Sequence, residues 1–459
     1  MSPVSGSFFA FAAAGWILVR LTQRWGGSRA ASWVLSLWSG LFLLLSSPQA
    51  LAAFSASVLV NHGLALSMRR RSDPAGLRRL LGLSLAVNLL FIFSPKIFRM
   101  LGTNMAFLGL SYYSIQQIMF LYDLYEERLD DGRPVLGGDG TLRNYLGFLA
   151  FFPQLTSGPI CAWRETGKAL SAPSLRPTGQ WLPGALMITH GLFHKVVLST
   201  WFSAVSQAAL ATPQAGWAET LIGLIFSYLA LYFDFSGYTD IAMGTAWFFG
   251  VSLPLNFDQP LRANSLADLW ARWHMSLSAF VKNYIYFPIF RAYPSRKRLH
   301  QLAMLLSMVV VGVWHEPSPR FLCFGALHGL GLLYWPFKKA KSGPQFWINW
   351  LATHLFMALS MAFFIGPDLN GALRTLQSLS QASQGLAFLK ASFDNYDKLQ
   401  IAGCCLAGLL HVRHGKNTQK LYAKAVPSGY LFGWFVLTLS LVLLYMNSGI
   451  SGNFVYADF

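Results

Sequence analysis

The sequence predicts an all-α fold: a polytopic transmembrane helical bundle of about 11–12 spans, with re-entrant and interfacial helices around a central cavity. Three observations carry this expectation. Hydrophobic residues make up 54% of the 459 and charged residues 12%, about half the ~25% charged share of soluble domains. Apolar runs near the spanning length of about 20 residues recur along the whole chain. The basic residues behind the net charge of +17 sit in short loops between those runs, as cytoplasmic loops require. That placement argues against a nucleic-acid partner, which would need the charge gathered on one face.

In chain order the apolar runs are 8–19, 31–46, 50–66, 80–98, 104–124, 184–211, 217–250, 302–316, 320–335, 345–366, 397–411 and 428–448. The basic loops are 20–29, 69–79, 126–143, 291–298, 338–341 and 413–424. Putting these loops in the cytoplasm makes 31–66 and 80–124 hairpins out and back. Residues 302–335 form a third, with Pro317 and Pro319 at its outer turn, and both termini then face outside. Segment 145–160 is short and broken by Pro153, Gly158 and Pro159. It is expected to be re-entrant, and such breaks at membrane depth survive only beside a cavity or under protein cover.

The first basic residue, Arg20, follows the first apolar stretch, whereas a signal peptide carries its charge before it. Cys161, Cys323, Cys404 and Cys405 lack metal-like spacing and read as buried filler. Nothing in the residue pattern suggests a metal, and no internal repeat is visible. The expectation is one membrane-embedded domain over 1–459, with a core at about 105–335 and peripheral helices in 1–104 and 345–459.

Against this background, ionisable residues inside apolar runs carry the functional signal, since burying them is costly. His315 lies at or beyond the middle of a roughly 30 Å core, beside a proline break. A histidine hydrogen-bonded to a neighbouring helix is the bland reading. A general base is the better one, because burial keeps an imidazole neutral and able to accept a proton. Trp314 precedes His315, and Glu316 follows it.

Residues 265–287 are amphipathic and rich in Arg, Trp, Tyr and Lys, the composition of an interfacial helix lying flat. Within that stretch, His274 and Arg272 stand out. Asn256, Asp258 and Arg262 nearby make the segment a polar cluster expected to face a cavity. Asp234 and Asp240 differ by about 240° around a helix, so one straight face cannot present both. Gly237 could kink the helix between them, and cross-helix hydrogen bonds suit both carboxylates better than catalysis does. His328, among small residues in "GALHGLGL", is open to a structural or a functional reading.

The motifs "FDFSGYTDIAMG", "LPLNFDQP", "WARWHMSLSAFVKNYIY", "GVWH" and "FGALHG" resemble, in order and spacing, those of the membrane-bound O-acyltransferase family. They are most similar to its bacterial branch of alginate O-acetyltransferases and teichoic-acid D-alanyltransferases. "LGLSYYSIQQIMFLYDLYE" and "FFPQLTSGPI" extend the resemblance, which covers about residues 105–335. It implies a multi-span enzyme whose central cavity opens to both sides, with His315 as catalytic base and His274 as a second functional residue. It also implies an acyl thioester offered from the cytoplasm and an acceptor hydroxyl arriving from outside.

Two positions depart from the family pattern. Glu316 stands where a small glycine is usual, and a carboxylate there would raise the imidazole pKa or pair with Arg320. "IFRAYPSRKR" replaces the Gly-rich turn of the acetylase type. The expected function is nonetheless acyl transfer, acetyl first, to hydroxyls of an exported envelope polysaccharide or glycopolymer. No cofactor is expected to be bound, and the co-substrate would be acetyl-CoA or an acylated carrier protein. Expected partners are membrane lipids, the glycopolymer acceptor, an extracytoplasmic helper acyltransferase and an acyl carrier protein. The expected place is the bacterial inner membrane. D-alanyl transfer is the alternative within this class. A transporter is the alternative outside it, disfavoured because no paired broken helices occupy matching halves.

Overall fold

The computed structural model describes residues 4–100, 102, 108–129, 142–155, 158–167, 181–385, 435–436 and 438–443. Among these residues every regular element is helical and none is a strand. The expected spans 397–411 and 428–448, the basic loops 126–143 and 413–424, and Cys404 and Cys405 lie wholly or mostly outside them. The described chain divides into two compact units, 1–188 with 241–254, and 189–240 with 255–459.

In the first unit, α1 (Gly6–Ser46) joins two expected spans into one 41-residue helix. The expected loop 20–29 is therefore helical, interrupted only at Gly27, whose φ of 75° and ψ of 176° kink the helix. The intervening residues include good helix formers, and one left-handed glycine is the whole break. Ser47 then caps α2 (Pro48–Arg69), its side chain accepting from Ala50 N–H, and Pro48 suits the first helical position. The hairpin expected there is present. α3 (Pro74–Met100) and α4 (Leu110–Leu129) follow.

The broken stretch forms α5 (Leu142–Leu149) and α6 (Phe152–Leu155), about 12 and 6 Å long and too short to span. Phe152 packs against Phe8, Phe11 and Phe42 of α1. Helices in this unit are also tied by buried polar pairs: Asn88 Nδ2 donates to Asn61 Oδ1 at 2.6 Å, and Gln117 Nε2 to Ser57 Oγ at 2.8 Å. Such bonds hold helices where the surroundings offer polar groups no water.

The second unit starts within α7 (Trp181–Leu192), which runs through a π-helical turn at Phe193–Leu198 into α8 (Ser199–Leu210). The long α9 (Trp217–Phe248) returns. α9 runs as one helix through Gly237, the position that could have kinked it. A Cβ there would come within 2.6 Å of Gly191 O and 2.7 Å of Lys195 N, so the missing side chain serves close helix packing instead.

Residues 265–287 do not form one flat helix. They divide into α10 (Leu266–Trp270), α11 (Met275–Val281) and a π turn at Lys282–Tyr286, and α12 (Phe287–Ala292) follows. The third expected hairpin is α13 (Lys297–His315) with α14 (Pro319–Tyr334). Its helices interlock through glycines: a Cβ on Gly312 would strike Phe321 O, and one on Gly325 would strike Met308 O. α15 (Pro344–Ile365) and α16 (Leu369–Gln377) follow, and the described residues 435–436 and 438–443 are helical too. Among the described residues, five helices are long and apolar enough to cross a membrane: α1, α2, α3, α9 and α15. The chain is a multi-pass membrane protein.

Candidate active site

His315 is the last residue of α13, and the chain turns immediately after it. Glu316 N donates to Gly312 O at 3.3 Å, and Ser318 N to Glu316 O at 2.8 Å. Pro319 then starts α14, where its missing N–H costs nothing. This tight return leaves the half-buried His315 ring stacked near Phe321, with centroids 5.7 Å apart. Phe364 of α15 meets the ring edge-on at 5.4 Å, and Trp314 lies at 4.9 Å.

His274 is brought to the same place by a different device. Asn256 O accepts from Met275 N at 2.8 Å, while Asn256 Oδ1 accepts from Ser276 N at 3.2 Å and Ser276 Oγ at 2.6 Å. Asn256 thereby caps α11 from a distant loop. The residue before the helix, His274, is held left-handed at φ 42°, ψ 53°. A non-glycine residue pays strain for that conformation, which persists only where surroundings over-determine it.

The His274 ring is buried, 2% exposed, with Phe235 edge-on at 4.6 Å and Trp314 at 6.2 Å. Apart from its own backbone, nothing among the described residues satisfies either ring nitrogen. His274 lies outside the five long spans. Burial first, and the charge His315 can carry second, pull its pKa well below the usual histidine value.

His274 and His315 line one cavity of about 20 Å³, room for roughly one water-sized group. The other walls are apolar or aromatic: Leu231, Phe235, Val311, Phe324, Met357 and Phe364, with the indoles of Trp270 and Trp273. No carboxylate of the described residues lines it. Two imidazoles, one strained and unsatisfied, thus meet in an otherwise apolar chamber. A hydroxyl reaching this chamber would find an imidazole able to accept its proton.

His328 is occupied. Trp270 Nε1–H donates to His328 Nδ1 at 3.3 Å, so that nitrogen carries no proton and the other donates, to Ser360 Oγ at 3.1 Å. Ser360 Oγ in turn donates to Met357 O at 2.7 Å. Both nitrogens of the neutral ring are used, and His328 does not line the cavity. Of its two readings, the structural one fits this arrangement.

The polar cluster expected around His274 divides. Arg272, Asn256 and Asp258 do not line the cavity. Arg272 Nε donates to Asp268 Oδ1 at 3.1 Å and Nη1 to Asp258 O at 3.0 Å, while Asp258 N donates to Arg272 O at 2.9 Å. Arg262 reaches Gln259 Oε1 at 3.3 Å on the surface. These groups spend their hydrogen bonds bracing the loop that positions His274. Helix propensity alone did not reveal that they sit on a folded-back loop.

Asp234 and Asp240 bond across helices, with partners the motif reading had not singled out. Lys195 Nζ lies 2.5 Å from Asp234 Oδ1, and His190 Nδ1 lies 2.9 Å from Asp240 Oδ2. His194 Nδ1 meets Ser236 Oγ at 3.2 Å. The signal was present in "THGLFHKVV", where two histidines and a lysine interrupt an apolar run. The aromatic walls contributed by α9, α10 and α15 gave no such signal, because apolar residues in membrane helices are unremarkable one by one.

The described fold is that of a helical membrane protein with two histidines in one cavity, and the comparisons give its class. The profile of the membrane-bound O-acyltransferase family matches residues 5–366; the chain belongs to that family and is an O-acyltransferase. It is 30% identical over 373 residues to the peptidoglycan O-acetyltransferase of Helicobacter pylori, covering 70% of this chain and 68% of that protein. It is 24% identical to the probable alginate O-acetylase of Pseudomonas aeruginosa, over 59% of this chain and 51% of that one. With the teichoic acid D-alanyltransferase of Streptococcus thermophilus it shares 28% identity, over 50% of this chain and 56% of that one. The match thus spans about two thirds of the first relative and about half of the other two.

Proposed function

We propose that this protein acetylates hydroxyl groups of an exported bacterial envelope glycopolymer, drawing the acyl group from a cytoplasmic thioester. The shared cavity of His315 and His274, with His274 unsatisfied, is the observation that carries this reading. His315 takes the proton of the acceptor hydroxyl as the oxygen attacks the thioester carbonyl. The new C–O bond forms, the C–S bond breaks, and the proton passes to the departing thiolate. His274, neutral by burial, offers an N–H to the carbonyl oxygen as charge develops there. The products are an ester and a free thiol.

The walls favour acetyl over D-alanyl. A D-alanyl group carries an ammonium, and burying a cation without a partner is costly. The cavity offers it no carboxylate. Donor (acetyl-CoA or an acylated carrier protein), helper acyltransferase, inner-membrane location and outward termini belong to this same proposal. Among the relatives, two are named for O-acetylation of envelope polymers, which supports the acetyl reading.

The test is transfer from radiolabelled acetyl-CoA by purified protein in proteoliposomes, with glycan fragments supplied inside or outside. A hydroxylamine-labile ester on the glycan is the expected product. Label transfer from D-alanyl carrier protein instead would move the assignment to the alternative donor. Solute uptake with no thioester consumed would replace the enzyme by a transporter.

A further inference from the structure

A second buried cluster, formed by α7, the π turn and α9, takes no part in the chemistry above. One ring nitrogen each of His190 and His194 and a carboxylate oxygen of Asp240 all lie within 4.8 Å of one another, and all three residues are largely buried. We propose that these three residues form a binding site for a divalent first-row transition metal of the Zn²⁺ type, clamping α7 and the π turn to α9.

Donor type, local geometry and charge each point this way. Two imidazoles and one carboxylate are the donors of three-ligand zinc sites, whereas calcium and magnesium sites are built from oxygen. Bond lengths near 2.0–2.2 Å would bring tetrahedral ligand atoms to about 3.4 Å from each other. The present atoms lie within 4.8 Å of one another, with the His190–Asp240 pair at 2.9 Å, so the spacing brackets that value.

His194 sits in the π-helical turn Phe193–Leu198, and its ring centroid lies 4.0 Å from that of His190. Single π turns inside α-helices are frequent at functional sites. Ser236 Oγ at His194 Nδ1 is the kind of outer contact that fixes the orientation of an imidazole ligand. Next to the cluster, Lys195 is already paired with Asp234 at 2.5 Å. Its charge is therefore compensated, and a dication bound by two neutral imidazoles and one carboxylate adds a net charge of only about +1.

The experiment uses full-length protein purified through a tag without histidines. Metal per chain is measured by elemental mass spectrometry, then Zn²⁺ affinity by competition with a chromophoric chelator, and thermal midpoint before and after stripping. The expected result is about one Zn²⁺ per chain, with Asp240→Asn and His194→Gln weakening affinity at least 100-fold and Ser236→Ala by about tenfold. Stripping should lower the thermal midpoint of the unmodified protein, and Zn²⁺ should restore it. That arm does not depend on any variant folding. If stripped protein binds Zn²⁺ no more tightly than the variants, or stripping leaves its midpoint unchanged, the cluster is a hydrogen-bonded latch and the site is refuted.

Discussion

Arg320 Nη2 stands 2.6 Å from Glu316 Oε2, joining the first turn of α14 to the residue that follows His315. The same guanidinium donates to the carbonyls of Phe364, at 3.1 Å, and Gly366. One side chain therefore neutralises the carboxylate beside the proposed base and fastens the end of α15, whose Phe364 packs on the His315 ring. The pair anticipated from sequence exists, and Arg320 has additional partners.

This relationship sets a pH prediction. With Arg320 removed, the Glu316 carboxylate would stabilise protonated His315, raising the pH at which the base becomes neutral. Arg320→Gln, which keeps donors for the two carbonyls, should move the activity optimum upward. Arg320→Gln with Glu316→Gln should bring it back. Profiles of kcat/KM against pH decide the matter, and identical optima in all three proteins would show that Glu316 does not sense His315.

Replacing His315 with alanine should abolish acyl transfer, leaving residual turnover at least 100-fold below the unmodified enzyme, since a positioned base contributes about 10²–10⁴. Membrane insertion and thermal midpoint should be near normal, because the ring is half-buried at a helix end. A variant that folds and keeps more than a few per cent of transfer would remove His315 from the chemistry.

His274→Ala should cut transfer strongly, and His328→Ala should act mainly on stability. Deleting His328 strands the Trp270 N–H and one contact of Ser360, each unsatisfied buried group costing about 1–3 kcal/mol. Comparing thermal midpoints with kcat in the two variants separates the roles. A stable His328→Ala protein with less activity than His274→Ala would reverse them.

The buried, neutral His274 also links stability to acidity. Its folded pKa lies below the unfolded value of about 6.5. Its contribution is therefore complete above that value and is lost as the pH falls towards the folded pKa. Unfolding temperature between pH 7.5 and 5 should drop less in His274→Gln than in the unmodified protein. Parallel curves would mean the ring is not held neutral by the fold.

Asn256→Ala should lower kcat more than it raises KM, because Asn256 acts through the α11 cap that holds His274 left-handed. Loss of such a cap costs about 1 kcal/mol of stability. Asn256→Asp retains the accepting oxygen and should recover most of the rate. Failure of that conservative replacement to recover activity would point to a role other than positioning.

The sequence by itself determined the helical class and the membrane setting, and it singled out His315 as a candidate. Composition and spacing act locally there: an apolar run of bilayer length needs no partner to be recognised, and a histidine beside a proline break stands out within it. The α13–α14 hairpin and the broken 145–160 stretch were legible for the same reason.

Tertiary structure decided the rest. His274 stood out within its stretch, but its left-handed backbone and its place in the cavity follow only from Asn256, 18 positions earlier, which caps α11 across the folded-back chain. Both ring nitrogens of His328 are taken up by Trp270 and Ser360, which come from two other helices. Gly237 became a packing surface rather than a hinge because α7 lies against it. His190, His194 and Asp240 meet only once a π turn and a distant helix bring them together. Hydrogen-bond satisfaction and close packing depend on partners far away in sequence, whereas hydropathy is read along the chain.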